Sequence, residues 1–132
     1  NQPDASNVID VLHKVGGFDI AAMTGAFLGG ALYHIPIIMD GFISGVAALC
    51  AVQLCPHVHG YILPSHTSAE PGAQIVMKSL NLQPVLHADM RLGEGTGAVA
   101  LMPLLDLALS VYKNAATFDD IKVEAYSKWK SN

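Results

Sequence analysis

The stretch RLGEGTGA, residues 91–98, sets one carboxylate among glycines. Gly93 and Gly95 flank Glu94, and Gly97 follows closely. Glycine removes side-chain bulk and lets the backbone take positive φ, so a substrate could approach this acid closely. A carboxylate in a tight apolar surround has its pKa raised toward neutrality, which suits a general base. On spacing alone, a solvated turn glutamate fits the stretch equally well. A second polar cluster is SHTSAEPG, residues 65–72. Its hydroxyls and backbone N–H groups, Ser68 among them, could hold a phosphate at a helix N-terminus. Thr67-x-x-Glu70 followed by Pro71 also reads as a plain capping box, and spacing favours neither reading. His66 lies inside this cluster as a candidate ligand contact. The third cluster is Asp40-Gly41, where the acid is a hydroxyl ligand, an anchor, or the cap of the next helix.

Other chemistries are less well supported. No GxxxxGK[ST] loop is present, which argues against a nucleotide triphosphatase, and GEGTG is not GxGxxG. His57 and His59 would share a strand face, but no third ligand is near, so both read as loop or surface residues and no metal is expected. Cys50 and Cys55 would point about 140° apart on a helix and read as free thiols of a reducing compartment. Met90, Leu92 and Met102 are ordinary core candidates that could also line an apolar pocket beside Glu94.

These clusters need elements to position them, and the chain supplies a repeating pattern. IPIIM, GYILP and QPVLH are short apolar runs that read as buried strands. Each ends in one of the polar clusters, and each cluster is followed by a helical stretch: FISGVAALCAVQL, AQIVMKSL and AVALMPLLDLALSVYKNA. Strands alternating with helices predict a parallel sheet covered on both faces, an α/β, three-layer, Rossmann-like fold. Ligands in such sheets bind at the carboxyl ends of the strands, where all three clusters fall. Upstream, SNVIDVLHKVGG reads as an amphipathic helix capped by Ser6 and stopped by Gly16-Gly17. FDIAAMTGAFLGGALYH reads as a helix whose Gly25, Gly29 and Gly30 permit tight packing. Residues 119–132 read as a polar tail on a single piece spanning 1–132.

Composition bounds the function further. The 132 residues are 52% hydrophobic and 14% charged, against about 25% charged in an average domain. The net charge is −4, with no basic run, which argues against nucleic acid. The apolar stretch from Ile20 to Leu54 is broken by His34, Pro36 and Asp40 into pieces shorter than the ~20 residues a span needs, and Asp40 would be costly in lipid. No membrane span is expected there. The opening NQPDASNVID has no Met and no signal-peptide pattern, as in a trimmed piece.

GGFDIAAMTGAFLGGA, IPIIMDGFISGVAAL, PSHTSAEPG and DMRLGEGTGAVALMPLL, in this order, closely resemble the nicotinate-nucleotide–dimethylbenzimidazole phosphoribosyltransferase family. The resemblance runs from about Gly16 to Phe118. It implies a cytoplasmic, homodimeric transferase that passes the phosphoribosyl group of nicotinate mononucleotide to dimethylbenzimidazole or a related aromatic base, without a cofactor, in assembly of the lower ligand of cobamides. It implies Glu94 as general base, with Gly93 and Gly95 clearing room for the base. It implies Ser68 and His66 near the phosphate and ribose, and Asp40 and Gly41 on the pocket wall. Family members are much longer, so the chain resembles their C-terminal part and is expected to lack the upstream half, leaving apolar faces uncovered. The alternative is a non-catalytic C-terminal fragment that holds phosphate or a partner chain.

Overall fold

A computed structural model describes residues 2–124. Helix α1 (Val8–Val15) and helix α2 (Phe18–Leu32) precede strand β1 (Ile37–Met39) and helix α3 (Gly41–Leu54). A 3-10 turn over Pro56–Tyr61 leads into strand β2 (Ile62–Pro64), then helix α4 (Ala73–Leu80) and helix α5 (Thr96–Asn114). The chain forms two compact units, one reaching Met102 and the other starting at Pro103.

The α/β class with parallel strands is what forms. β1 and β2 pair in parallel, with Ile37 opposite Ile62 and Met39 opposite Pro64. The third run, QPVLH, does not become a strand. It is joined through one parallel bridge between His66 and Leu86, with Leu86 N–H donating to Ser65 O at 2.9 Å and Thr67 N–H to Leu86 O at 3.0 Å. Pro84 offers no N–H, which removes a ladder donor just upstream and leaves the run too short to count as a strand.

The core joins β1, β2 and the helices through Phe27, Met39, Ala47, Ala48, Ala51, Val58, Ile62, Val76, Met77 and Leu80. The alanines of α3 are fully buried, and their small size lets neighbouring helices lie close. A Cβ on Gly45 would stand 3.1 Å from Val76 Cγ1, so α3 meets α4 through a glycine. On α2 only Gly30 is constrained, since a Cβ there would lie 2.8 Å from Ile35 O. Gly25 and Gly29 have open space beside them, so they are not the packing surface their spacing predicts.

Several caps differ from expectation. α1 is capped by Asn7, whose side chain accepts from Ile9 N–H and Asp10 N–H. Ser6 instead donates to Asp4 Oδ1 through both N–H and hydroxyl. The capping box at 67–70 does not form either. α4 begins later, at Ala73, behind Gly72 with no side-chain cap.

The unit that starts at Pro103 carries the rest of α5 and a turn in which Thr117 N–H and Oγ1 both donate to Asp120 Oδ2. Residues 125–132 of the expected polar tail lie outside the described residues. α5 is long and apolar enough to cross a membrane by length and composition alone, although it contains Pro103, Asp106 and Lys113. α2 and α3, where the sequence suggested no span, are shorter than that test requires. Apolar side chains stand exposed on several elements, among them Phe18 (98%), Leu32, Tyr33, Leu107 and Tyr112.

Candidate active site

The three polar clusters meet. A cleft of about 930 Å³ opens beyond the carboxyl ends of the strands, and Asp40, Gly41, His66, Ser68, Gly93, Glu94 and Gly95 all line it. Met90 and Leu92 line it too, whereas Met102 does not, being 55% exposed elsewhere on α5. Sequence reasoning missed Asp19 and Met23 of α2, Phe42 and Ser44 of α3, Glu70, and Arg91. Arg91 carried a usable signal, standing three positions before Glu94; the α2 residues carried none. Four carboxylates, Asp19, Asp40, Glu70 and Glu94, face the cleft against one guanidinium, Arg91.

The GEGTG loop is held in an unusual backbone shape. Gly93, Glu94 and Gly95 have φ of +74°, +56° and +74°. Three left-handed residues in succession are freely tolerated by glycine and costly for glutamate. A Cβ at Gly93 or Gly95 would meet nothing within 4 Å, so backbone conformation, not protein crowding, requires glycine there. Glu94 is exposed; the residues of this chain do not enclose it in the tight apolar surround expected from sequence.

The loop ends at the start of α5, where Thr96 N–H and Oγ1 donate to Gly93 O at 3.0 and 2.7 Å. Asp40 reaches across from the end of β1 and its Oδ1 accepts Ala98 N–H at 2.8 Å. Asp40 makes no side-chain cap to its own helix α3. His66 is buried, 4% exposed, between the two. Its Nδ1 lies 3.0 Å from Ser65 Oγ, and that hydroxyl donates to Met39 O at 2.8 Å. A hydroxyl has one proton, so Nδ1–H is the donor to Ser65 Oγ. Asp40 Oδ1, at 3.8 Å from Nδ1, is too far for a hydrogen bond.

The SHTSAEPG loop engages its polar groups in loop contacts. Ser68 Oγ donates to Glu70 Oε2 at 2.9 Å, and Thr67 Oγ1 lies 3.0 Å from His87 Nδ1. A second cleft of about 420 Å³ lies along the same loop, lined by Thr67, Gln74, His87 and Asp89 among others, and shares Ser68 through Pro71 with the first. His59 Nε2 lies 2.7 Å from Leu80 O, tying the 3-10 turn to the end of α4, and no metal-binding group occurs among the described residues. Burial raises the Cys50 thiol pKa; both cysteines are free, as expected.

An α/β fold with a cleft at the carboxyl ends of parallel strands, lined by an exposed acid and a polar loop, places the chain in the class of open α/β proteins, whose ligands bind at such an edge. The comparisons with known proteins make this particular. The profile of a family described as phosphoribosyltransferase matches residues 1–123, and the chain belongs to that family. The nicotinate-nucleotide–dimethylbenzimidazole phosphoribosyltransferase of Acetivibrio thermocellus is 53% identical over 126 residues, 96% of this chain and 36% of the relative. The protein of the same name from Salmonella arizonae is 51% identical over 114 residues, 86% of this chain and 32% of the relative. The crystal structure of the protein of that name from Thermus thermophilus superposes with a TM-score of 0.83 at 35% identity, covering 96% of this chain and 38% of that one. The chain therefore spans roughly a third of the length of the relatives it matches.

Proposed function

We propose that this chain carries the acid–base part of the active site of a phosphoribosyltransferase that uses nicotinate mononucleotide and dimethylbenzimidazole. The supporting observation is Glu94, an exposed carboxylate held at φ +56° on the lip of the strand-end cleft, in a chain of this family. In the reaction, one ring nitrogen of the base attacks the anomeric carbon of the ribose. The carbon–nitrogen bond to nicotinate breaks and its electron pair returns to the pyridine nitrogen. Glu94 takes the proton from the other ring nitrogen, leaving α-ribazole phosphate and nicotinate. The open backbone on either side of Glu94 gives a flat ring access to the carboxylate.

Phe42, Met90 and Leu92 supply an apolar wall for the ring. Ser68 and the loop around it, with His66, border the ribose and phosphate, and Asp40 and Gly41 stand on the pocket wall. Arg91 is the cation nearest in kind to what a phosphate requires. No cofactor takes part in this scheme. The exposed apolar side chains suit burial against the rest of a longer polypeptide or the second subunit of a homodimer. We place the enzyme in the cytoplasm, without a membrane span; Asp106 in the middle of α5 would be costly in lipid.

A second reading is favoured by the charge of the cleft. Four carboxylates and one arginine disfavour a phosphate, so this chain would act as a binding module that needs cations from elsewhere for turnover. Nicotinate release from nicotinate mononucleotide plus dimethylbenzimidazole, measured on the 132-residue chain, separates the two. Release that falls about 10²-fold or more in Glu94→Gln, the usual worth of a general base, supports catalysis. Release that is unchanged in Glu94→Gln at saturating base removes Glu94 from that role. No release, with weak or no binding of the nucleotide by calorimetry, supports the module.

A further inference from the structure

We infer that Asp40 is a positioning residue that sets the GEGTG loop, by capping a helix distant in sequence. The start of α5 lacks a local cap: the residue before it is Gly95, which has no side chain and stands at φ +74°. Ala98 is the third residue of α5, the position whose N–H a local N-cap side chain would normally take. Asp40 Oδ1 takes it instead, at 2.8 Å, from 58 residues away. The negative carboxylate also faces the positive end of the α5 dipole. His66 adds a mechanical stop: a Cβ on Gly97 would overlap its ring, standing 2.6 Å from Cε1, and would lie 2.8 Å from Asp40 Oδ1.

The consequence concerns Glu94. It lies between two glycines, and the three together hold a left-handed path that glycine does not favour over others. Anchoring the next turn to β1 through Asp40 and His66 restricts that path and fixes the height of the Glu94 carboxylate above the strand ends. The Asp40 oxygen that holds Ala98 N–H is then committed to the fold. The kinetic part of this inference rests on the proposed reaction; the structural part does not.

The test is amide hydrogen exchange on the 132-residue chain, comparing wild type, Asp40→Ala and Asp40→Asn. Asparagine keeps an acceptor oxygen and caps as well as aspartate. The expected result is about fivefold faster exchange at Ala98 in Asp40→Ala, the usual worth of a cap, with the β1 and β2 amides unchanged and Asp40→Asn close to wild type. Equal exchange at Ala98 in all three, or equal loss in both variants, overturns the inference. If Asp40→Ala does not fold, the scalar coupling across the hydrogen bond between Ala98 N–H and the Asp40 carboxyl carbon reads the contact in wild type, and its absence overturns the inference. In the nicotinate-release assay, Asp40→Ala should lower kcat on the order of 10²-fold, the scale of a misplaced catalytic group, with KM for nicotinate mononucleotide unchanged, and Asp40→Asn should recover most of it. A rise in KM at constant kcat would make Asp40 a substrate ligand and overturn the positioning role. A wild-type chain that shows the Ala98 contact but releases no nicotinate counts against catalysis by this chain and leaves the cap standing.

Discussion

Gly97→Ala is the substitution whose sign is decided by this geometry. Gly97 is buried in the first turn of α5, and helix propensity alone would make alanine there better than glycine by about 1 kcal/mol. The structure demands the opposite. The new methyl would sit 2.6 Å from His66 Cε1 and 2.8 Å from Asp40 Oδ1, where carbon contacts normally begin near 3.5 Å. The methyl would come nearer still to His66 Nδ1, so the shortfall exceeds about 1 Å, and neither neighbour can simply rotate away: His66 is bonded to Ser65 and Asp40 to Ala98. Overpacking of this kind costs about 1–3 kcal/mol, and displacing the Asp40 cap about 1 kcal/mol more. Against the propensity gain, the net loss is about 1–3 kcal/mol, or a fall in Tm of about 4–12 °C at roughly 4 °C per kcal/mol. Thermal unfolding followed by circular dichroism measures it. Gly25→Ala and Gly29→Ala on α2 are the controls, since a Cβ at either meets nothing within 4 Å; each should raise stability by about 0.5–1 kcal/mol. A Gly97→Ala variant as stable as wild type, or more so, would refute the wedge of His66 and Asp40 on α5.

Gly93→Ala and Gly95→Ala should each destabilise by about 1 kcal/mol, because φ near +74° is strained for alanine although space is free; urea midpoints check this, and a stabilised variant would mean the loop adopts another path in solution. The Cys50 thiol, pushed up by burial, should be alkylated by iodoacetamide more slowly than a free cysteine at pH 8, because less of it is thiolate; mass spectrometry of the labelled peptide over time gives the rate, and reaction as fast as free cysteine would refute that burial.

Much of this arrangement was legible in the residues. Local apolar runs marked β1 and β2, because a buried parallel strand needs only a short continuous apolar segment. The three polar clusters marked the cleft, because parallel strands carry their loops to one edge. The glycines around Glu94 marked an unusual backbone, and three successive left-handed residues, Gly93, Glu94 and Gly95, fall there. The misreadings came where a local motif had a stronger non-local competitor or a backbone limit. Thr67 turned to His87 and Glu70 to Ser68, so the capping box lost its partners. Pro84 kept QPVLH from extending its pairing beyond one bridge. Asp40 read as a possible cap for the helix beside it and became the cap of another, 58 residues on.

The sequence by itself determined the β1 and β2 segments, the unusual backbone around Glu94 and which polar residues crowd the strand ends, since each depends on neighbours a few positions apart. Only the tertiary structure decided which of those polar groups hold the scaffold and which face the cleft. Ser65, His66 and Asp40 became buried or bonded to backbone, while Glu94 stayed exposed at the lip. A hydrogen bond between residues far apart in the chain forms only after the fold has brought its donor and acceptor within about 3 Å, and no local pattern encodes that distance.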